Sequence, residues 1–310
     1  MARHNIGPSA TAVSALRARA GTATLGRVRV ERVGEFSLGW GESVTWDDRR
    51  DRLYFVDCAA RTLHWLDGGA GPLRTQVLPS MAAGIVLAED GRLVGALDDG
   101  LHLIDADAGT TTLLAAYPTD LGGRANDACA DYAGNLVTGT LNMGPAEGSA
   151  WWFSTRGGWR LLDDAVANTN GPNAYRHDGT DRLIIGDSSG DYYSYPYDGE
   201  HGRAGGRTVF GDVSGLDGVA DGAAFDDEGG LWCALIGGGQ LARFTTDGLE
   251  RTLGLPVRNP ADVVFGGPGL DRLFVATVEI GGNGSLDGAL LVVDGLGVRG
   301  RTEPRFRLGR

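Results

Sequence analysis

The chain has no lysine: all 28 of its basic residues are arginine. Schiff-base catalysis, a pyridoxal-phosphate lysine and the lysine of a phosphate-binding loop are thereby excluded. Cysteine is scarce: Cys58, Cys129 and Cys233 are widely spaced, odd in number and in no CxxC pair. That pattern argues against a disulfide framework and for a reducing compartment, so the expected location is cytoplasmic. Each of the three reads as a small buried apolar residue. The five histidines, His4, His64, His102, His177 and His201, fall in no HExxH or HxH spacing, which leaves no histidine-based zinc motif. No apolar run approaches the roughly 18 residues of a membrane-spanning helix, so no membrane partner is expected.

Positive charge is outnumbered in the body of the chain. Residues 1–30 hold five arginines and no acid, and residues 299–310 hold five arginines against Glu303. Between them 18 arginines face 39 acids. A surface that acidic repels phosphate backbones, so no nucleic-acid partner is expected. Metal cations and neutral small molecules suit it better, although acidic turns also simply keep a protein soluble. Residues 1–26 are rich in Ala, Ser and Arg but lack the apolar run of a secretory signal. They read as a flexible extension, with the folded body over 27–310.

What is abundant is glycine, 52 residues in 310, without a Gly-X-Y period. That much glycine in a folded chain points to many tight turns. The turns recur with a period. Six short apolar strands follow acidic or glycine turns: Arg52–Val56, Arg92–Ala96, Asn135–Gly139, Arg182–Gly186, Gly230–Ala234 and Arg272–Ala276. Their leucines lie 40, 43, 47, 48 and 42 residues apart. Each is preceded by another short strand, as in Val44-Thr45-Trp46-Asp47, and followed by a partner, as in Leu63-His64-Trp65-Leu66. Three or four short strands per repeat of this length, with hardly any helical periodicity, predict an all-β, six-bladed β-propeller. The strand around Val28-Arg29-Val30 is expected to pair into the last blade and close the ring.

In a propeller the innermost strand of every blade lines a central channel, so equivalent positions converge in space. The residue five places before the turn acid is Glu42 in blade one (with Asp47), Asn126 in blade three (with Asp131) and Asp221 in blade five (with Asp226). Asn170 is the counterpart in blade four, while blades two and six offer small residues around Ala83-Gly84 and Ala261. Two carboxylates and two carboxamides form an oxygen-rich set of the kind Ca²⁺ prefers. Asn-Gly and Asp-Gly are also ordinary turn dipeptides; the shared register across repeats favours a site.

These residues carry a resemblance. Gly41-Glu42-Ser43-Val44-Thr45-Trp46, Arg124-Ala125-Asn126-Asp127, Asn170-Gly171, Asp221-Gly222 and the closing Gly295-Leu296-Gly297-Val298-Arg299-Gly300 are similar to the family of senescence marker protein, gluconolactonase and luciferin-regenerating enzyme. The resemblance implies one divalent metal in the channel, Ca²⁺ first and Zn²⁺, Mn²⁺ or Mg²⁺ as alternatives, held by Glu42, Asn170 and Asp221. It further implies substrate contacts from Arg124 and Asn126, Asp221 as general base, and a small-molecule sugar lactone hydrolysed to the aldonic acid. A metal-bound hydroxide is the alternative base. Two stretches depart from the family, Asn142-Met143-Gly144-Pro145 and Pro172-Asn173-Ala174-Tyr175, and both are expected beside the substrate. They keep two other readings open: an organophosphate ester or specialised-metabolism lactone at the same metal site, or a non-catalytic ligand-binding propeller. Gly186-Asp187-Ser188-Ser189-Gly190 matches GxSxG, but a strand, not a helix, follows it, so it reads as a hairpin turn.

Overall fold

The computed structural model describes residues 16–18, 28–118, 121, 123–142, 148–281 and 284–309. Of the expected extension over 1–26, Leu16–Ala18 are described, as a strand on the outer edge of the fifth blade, antiparallel to Arg251–Leu253. The rest of that segment lies outside the described residues.

Among the described residues six antiparallel sheets form a ring of blades. From the channel outward, blade one is Gly41–Asp47, Arg52–Asp57, Thr62–Asp67 and Arg74–Val77. Blades two to five repeat this order from the inner strands Ala82–Leu87, Arg124–Ala130, Thr169–His177 and Val219–Phe225. Blade six is built from both ends of the chain. Pro260–Gly266, Arg272–Thr277 and Leu291–Asp294 are completed by the early strand Arg29–Arg32, which pairs with Leu291–Asp294. The ring closure expected from the sequence is therefore observed. Each inner strand packs on those of its two neighbours, and that of blade six returns to blade one.

The core lies between blades rather than within one layer. Six buried clusters occupy the six blade junctions, such as Tyr54, Val56, Ile85 and Leu87 between blades one and two, or Trp232, Val263, Phe265 and Val275 between five and six. Full burial of one such side chain contributes about 1.5–3 kcal/mol, so adjacent sheets are held by many modest terms.

The turn acids do more than solubilise. Asp47, Asp131 and Asp226 are all buried. Asp226 accepts from the Gly230 amide, the Trp232 indole and Arg243; Asp131 accepts from the Asn135 amide and the Tyr197 hydroxyl. Each thereby ties the tight turn after an inner strand to the next strands, since a buried carboxylate needs its lone pairs filled. At this end of the channel the C-terminal segment crosses the ring. Gly300 bridges to Asp226 and Phe306 to Ala88, and Arg305 donates to Asp47 at 2.7 Å and to Asp48 at 2.6 Å. Glu303 and Pro304 bound a channel cavity of about 50 Å³.

Candidate functional site

The other end of the channel carries the residues singled out from the sequence. All six inner strands slip register by one residue at the same level, immediately after Glu42, Ala82, Ala125, Asn170, Ala220 and Pro260. A bulge breaks the two-residue alternation of a strand and re-aims the side chains around it. Ser43 and Gly171, the residues after Glu42 and Asn170, take left-handed φ values of 49° and 47°. Glycine suits that conformation at 171, where an added Cβ would also lie 2.7 Å from the Ala223 amide nitrogen.

These bulges bring Asn126, Asn170 and Asp221 into contact and set Glu42 near enough to act electrostatically on Asp221. Asn126 Nδ2 donates to Asn170 Oδ1 at 2.7 Å and to the Thr169 carbonyl at 2.9 Å. That same end of the Asn170 amide lies 3.2 Å from Asp221 Oδ1. Asn170 and Asp221 are buried, while Glu42, Arg124 and Asn126 are half-buried at the mouth. Glu42 Oε1 accepts from the Trp40 indole at 2.8 Å, and the Arg124 guanidinium lies over the Trp40 ring, 5.7 Å from its centre. Asp221 is fixed through its backbone: its amide donates to the Tyr192 hydroxyl at 2.9 Å, and that hydroxyl donates to its carbonyl at 2.7 Å.

Two further buried acids, Asp127 and Asp262, stand one step deeper and were not singled out from the sequence. Each spans two blades: Asp127 Oδ2 accepts from the Gly171 amide at 2.8 Å, and Asp262 Oδ2 from the Val44 amide at 2.8 Å. They brace the bulges that present Asn170 and Glu42. Their signal was the bulge itself, which puts adjacent residues toward the axis where strict alternation would send one of them away.

The electrostatics follow from that crowding. Burial, then the nearby Asp127, push the Glu42 carboxyl up to about 8, against the pull of Trp40 and Arg124. Burial takes Asp127 to about 6. Burial, with Glu42, Asp127 and Asp262 around it, holds Asp221 well above the ordinary carboxylate range, and Asp262 is raised likewise, by burial first and then Asp127 and Glu42. Among the described residues none of the four pairs with an arginine or histidine within 4.0 Å. Buried acids without a cationic partner form the donor set that a divalent cation would neutralise. Among the described residues no three His, Cys, Asp or Glu side chains could hold a metal; the carboxamides of Asn126 and Asn170 stand beside Asp221.

Other expectations fare differently. Met143–Glu147 lie outside the described residues. Pro172-Asn173-Ala174-Tyr175 does not stand beside the mouth, because the inner strand carries it down the channel. Pro172, Asn173 and Ala174 line the cavity there, and Tyr175 stacks on Phe225 in the core with ring centres 4.7 Å apart. Ser188 lies in a turn between two strands, Thr180–Asp187 and Tyr192–Asp198, so the GxSxG stretch is a hairpin as expected. The cysteines are unpaired, with Cys58 and Cys233 buried. No helix among the described residues is long and apolar enough to cross a membrane.

Fold and mouth together define a class: a six-bladed propeller whose channel opens on a cluster of buried oxygen donors. Residues 40–279 match the SMP-30/Gluconolactonase/LRE-like region, and the chain belongs to that family. It is 31% identical to a pentonolactonase of Haloferax volcanii over 83% of this chain and 87% of that one. It is 33% identical to a 6-deoxy-6-sulfogluconolactonase of Pseudomonas putida, over 76% of this chain and 82% of that one. Among solved structures, a calcium-binding protein, regucalcin, from Agrobacterium tumefaciens superposes with a TM-score of 0.81 at 29% identity, covering 89% of this chain and 97% of that one.

Proposed function

We propose that the protein is a lactonase that opens a sugar 1,4- or 1,5-lactone to the aldonic acid with the help of one divalent cation, Ca²⁺ in the first instance. The observation that carries this reading is the set of oxygen donors at the channel mouth: buried Asn170 and Asp221 within 3.2 Å of each other, with half-buried Glu42 acting on Asp221, none of them paired with a positive side chain among the described residues. The lactonases among the relatives support the substrate class, and a calcium-binding relative of the same fold supports the cation.

Glu42, Asn170 and Asp221 would hold the cation, which when bound supplies positive charge to polarise the lactone carbonyl. Arg124 and Asn126 stand at the rim with their polar ends beside the donor cluster, where they bind ring or hydroxyl oxygens of the sugar. Arg124 leans on Trp40, which limits its freedom and makes it a preset donor. Asp221 takes a proton from water as the water oxygen bonds to the carbonyl carbon. The ring C–O ester bond then breaks, and its oxygen leaves as a hydroxyl carrying a proton.

Stripping the protein with chelator and following acid release from a panel of aldonolactones, with Ca²⁺, Zn²⁺, Mn²⁺ or Mg²⁺ restored singly, tests this. Cation-dependent release that is lost in Asp221→Ala is the expected result. A bound cation without turnover of any lactone would overturn the substrate class, and absence of cation binding would overturn the whole reading.

A further inference from the structure

Ser188 belongs to no proposed ligand set, yet its side chain touches one. The hydroxyl lies against Asn170 Nδ2 and donates to the Ala220 carbonyl at 3.1 Å. A serine hydroxyl has a single proton. With that proton on Ala220, only lone pairs face Asn170, so the amide must present its NH₂ to Ser188. Asn170 Nδ2 also lies 3.4 Å from the same Ala220 carbonyl, a second acceptor on that side. Oδ1 is thereby turned toward Asn126 Nδ2 and Asp221. The reversed amide would gain bonds to the Thr169 carbonyl and Asp221 Oδ1 at 3.2 Å and one from the Ser188 hydroxyl, but it would set two NH₂ groups face to face at 2.7 Å, between Asn170 and Asn126, and take the Ser188 proton away from Ala220.

We propose that Ser188 is a positioning residue: its hydroxyl relay to Ala220 locks the Asn170 amide with its oxygen toward Asp221, ready for a divalent cation. When Asp221 is ionised, two oxygens 3.2 Å apart repel each other unless a cation lies between them, so the relay holds an orientation that the ionised pair would otherwise disfavour. The inference rests on the cation reading above.

The test is calorimetric titration of chelator-stripped protein with CaCl₂ alone. Ser188→Ala should weaken Ca²⁺ binding by ~10-fold, as loss of groups that orient metal ligands does, while Ser188→Thr, which keeps the hydroxyl, should bind like the unmodified protein. Ser188→Cys, of similar size but a weak hydrogen-bonding partner, should also lose affinity and covers the case in which alanine impairs folding. In an Asn170→Asp background no amide remains to orient, so adding Ser188→Ala should change affinity by less than about 2-fold. Equal affinity in Ser188→Ala and the unmodified protein overturns the role of Ser188 and leaves the cation reading intact. An equal loss in both backgrounds reduces Ser188 to a structural residue. No Ca²⁺ binding by the unmodified protein overturns both.

Discussion

At the scale of single residues, the channel mouth depends on side chains that never face substrate. Asp262 reaches from blade six to the Val44 amide, directly beyond the bulge that carries Glu42. Asp262→Ala leaves that buried N–H without its acceptor, a loss of about 1–3 kcal/mol, which urea unfolding would register. Asp262→Asn retains an oxygen to accept the bond and should lose less than half as much. An alanine variant as stable as the parent would show that the strut is dispensable. Glu42, Asn126 and Asp221 were legible in the sequence because a fixed five-residue spacing to a turn acid gives their register in three blades. Asp127 and Asp262 were not legible, since the bulges overturn alternation locally. Ser188 and Tyr192 were hidden for a different reason. They reach the site from a hairpin turn and the strand after it, and no spacing along the inner strand encodes that approach.

At the scale of elements, the blades were readable from their repeated Arg-Leu or Gly-Leu strands, and all six proved to be the second strand of a sheet. The closing segment was less transparent. Its arginines look like a basic tail in sequence, whereas Arg305 is buried and paired with Asp47 and Asp48. Burial alone would raise the Asp47 carboxyl, but the Arg305 and Arg50 guanidiniums hold it below its ordinary value. Truncating Arg305 to alanine strands a fully buried carboxylate with Arg50 as its remaining cationic partner. The expected loss is about 3 kcal/mol, at the lower end of the range for broken buried pairs, and calorimetric unfolding would measure it. Arg307 pairs with Glu89 in the open; its alanine variant should cost under about 1 kcal/mol. Similar losses for the two would mean that burial does not distinguish them.

At the scale of the whole molecule, the clustered acids couple pH to stability. Glu42 is raised from 4.5 to about 8 and Asp127 from 3.8 to about 6 in the folded chain. Between those limits the native state holds protons that the unfolded chain has released, so raising the pH favours unfolding. Cation-free protein should therefore lose thermal stability steadily from pH 5 to pH 8. Ca²⁺ added at pH 8 should restore it in proportion to the logarithm of its concentration. Calorimetric scans in chelator across that range check the sign; a melting temperature that climbs with pH would contradict the crowding of charges at the mouth.

The pairing of Arg29–Arg32 with Leu291–Asp294 also sets a timetable for biosynthesis. Arg29–Arg32 leave the ribosome long before Leu291–Asp294, so that strand waits on the order of 10–50 s at ordinary elongation rates. Blades one to four, and blade five apart from its edge strand Leu16–Ala18, can assemble from neighbouring sequence as they appear, but the sixth cannot. Until Leu291–Asp294 clear the ribosome the nascent chain is an open arc with two raw flanks, and their emergence is what allows the circle to close.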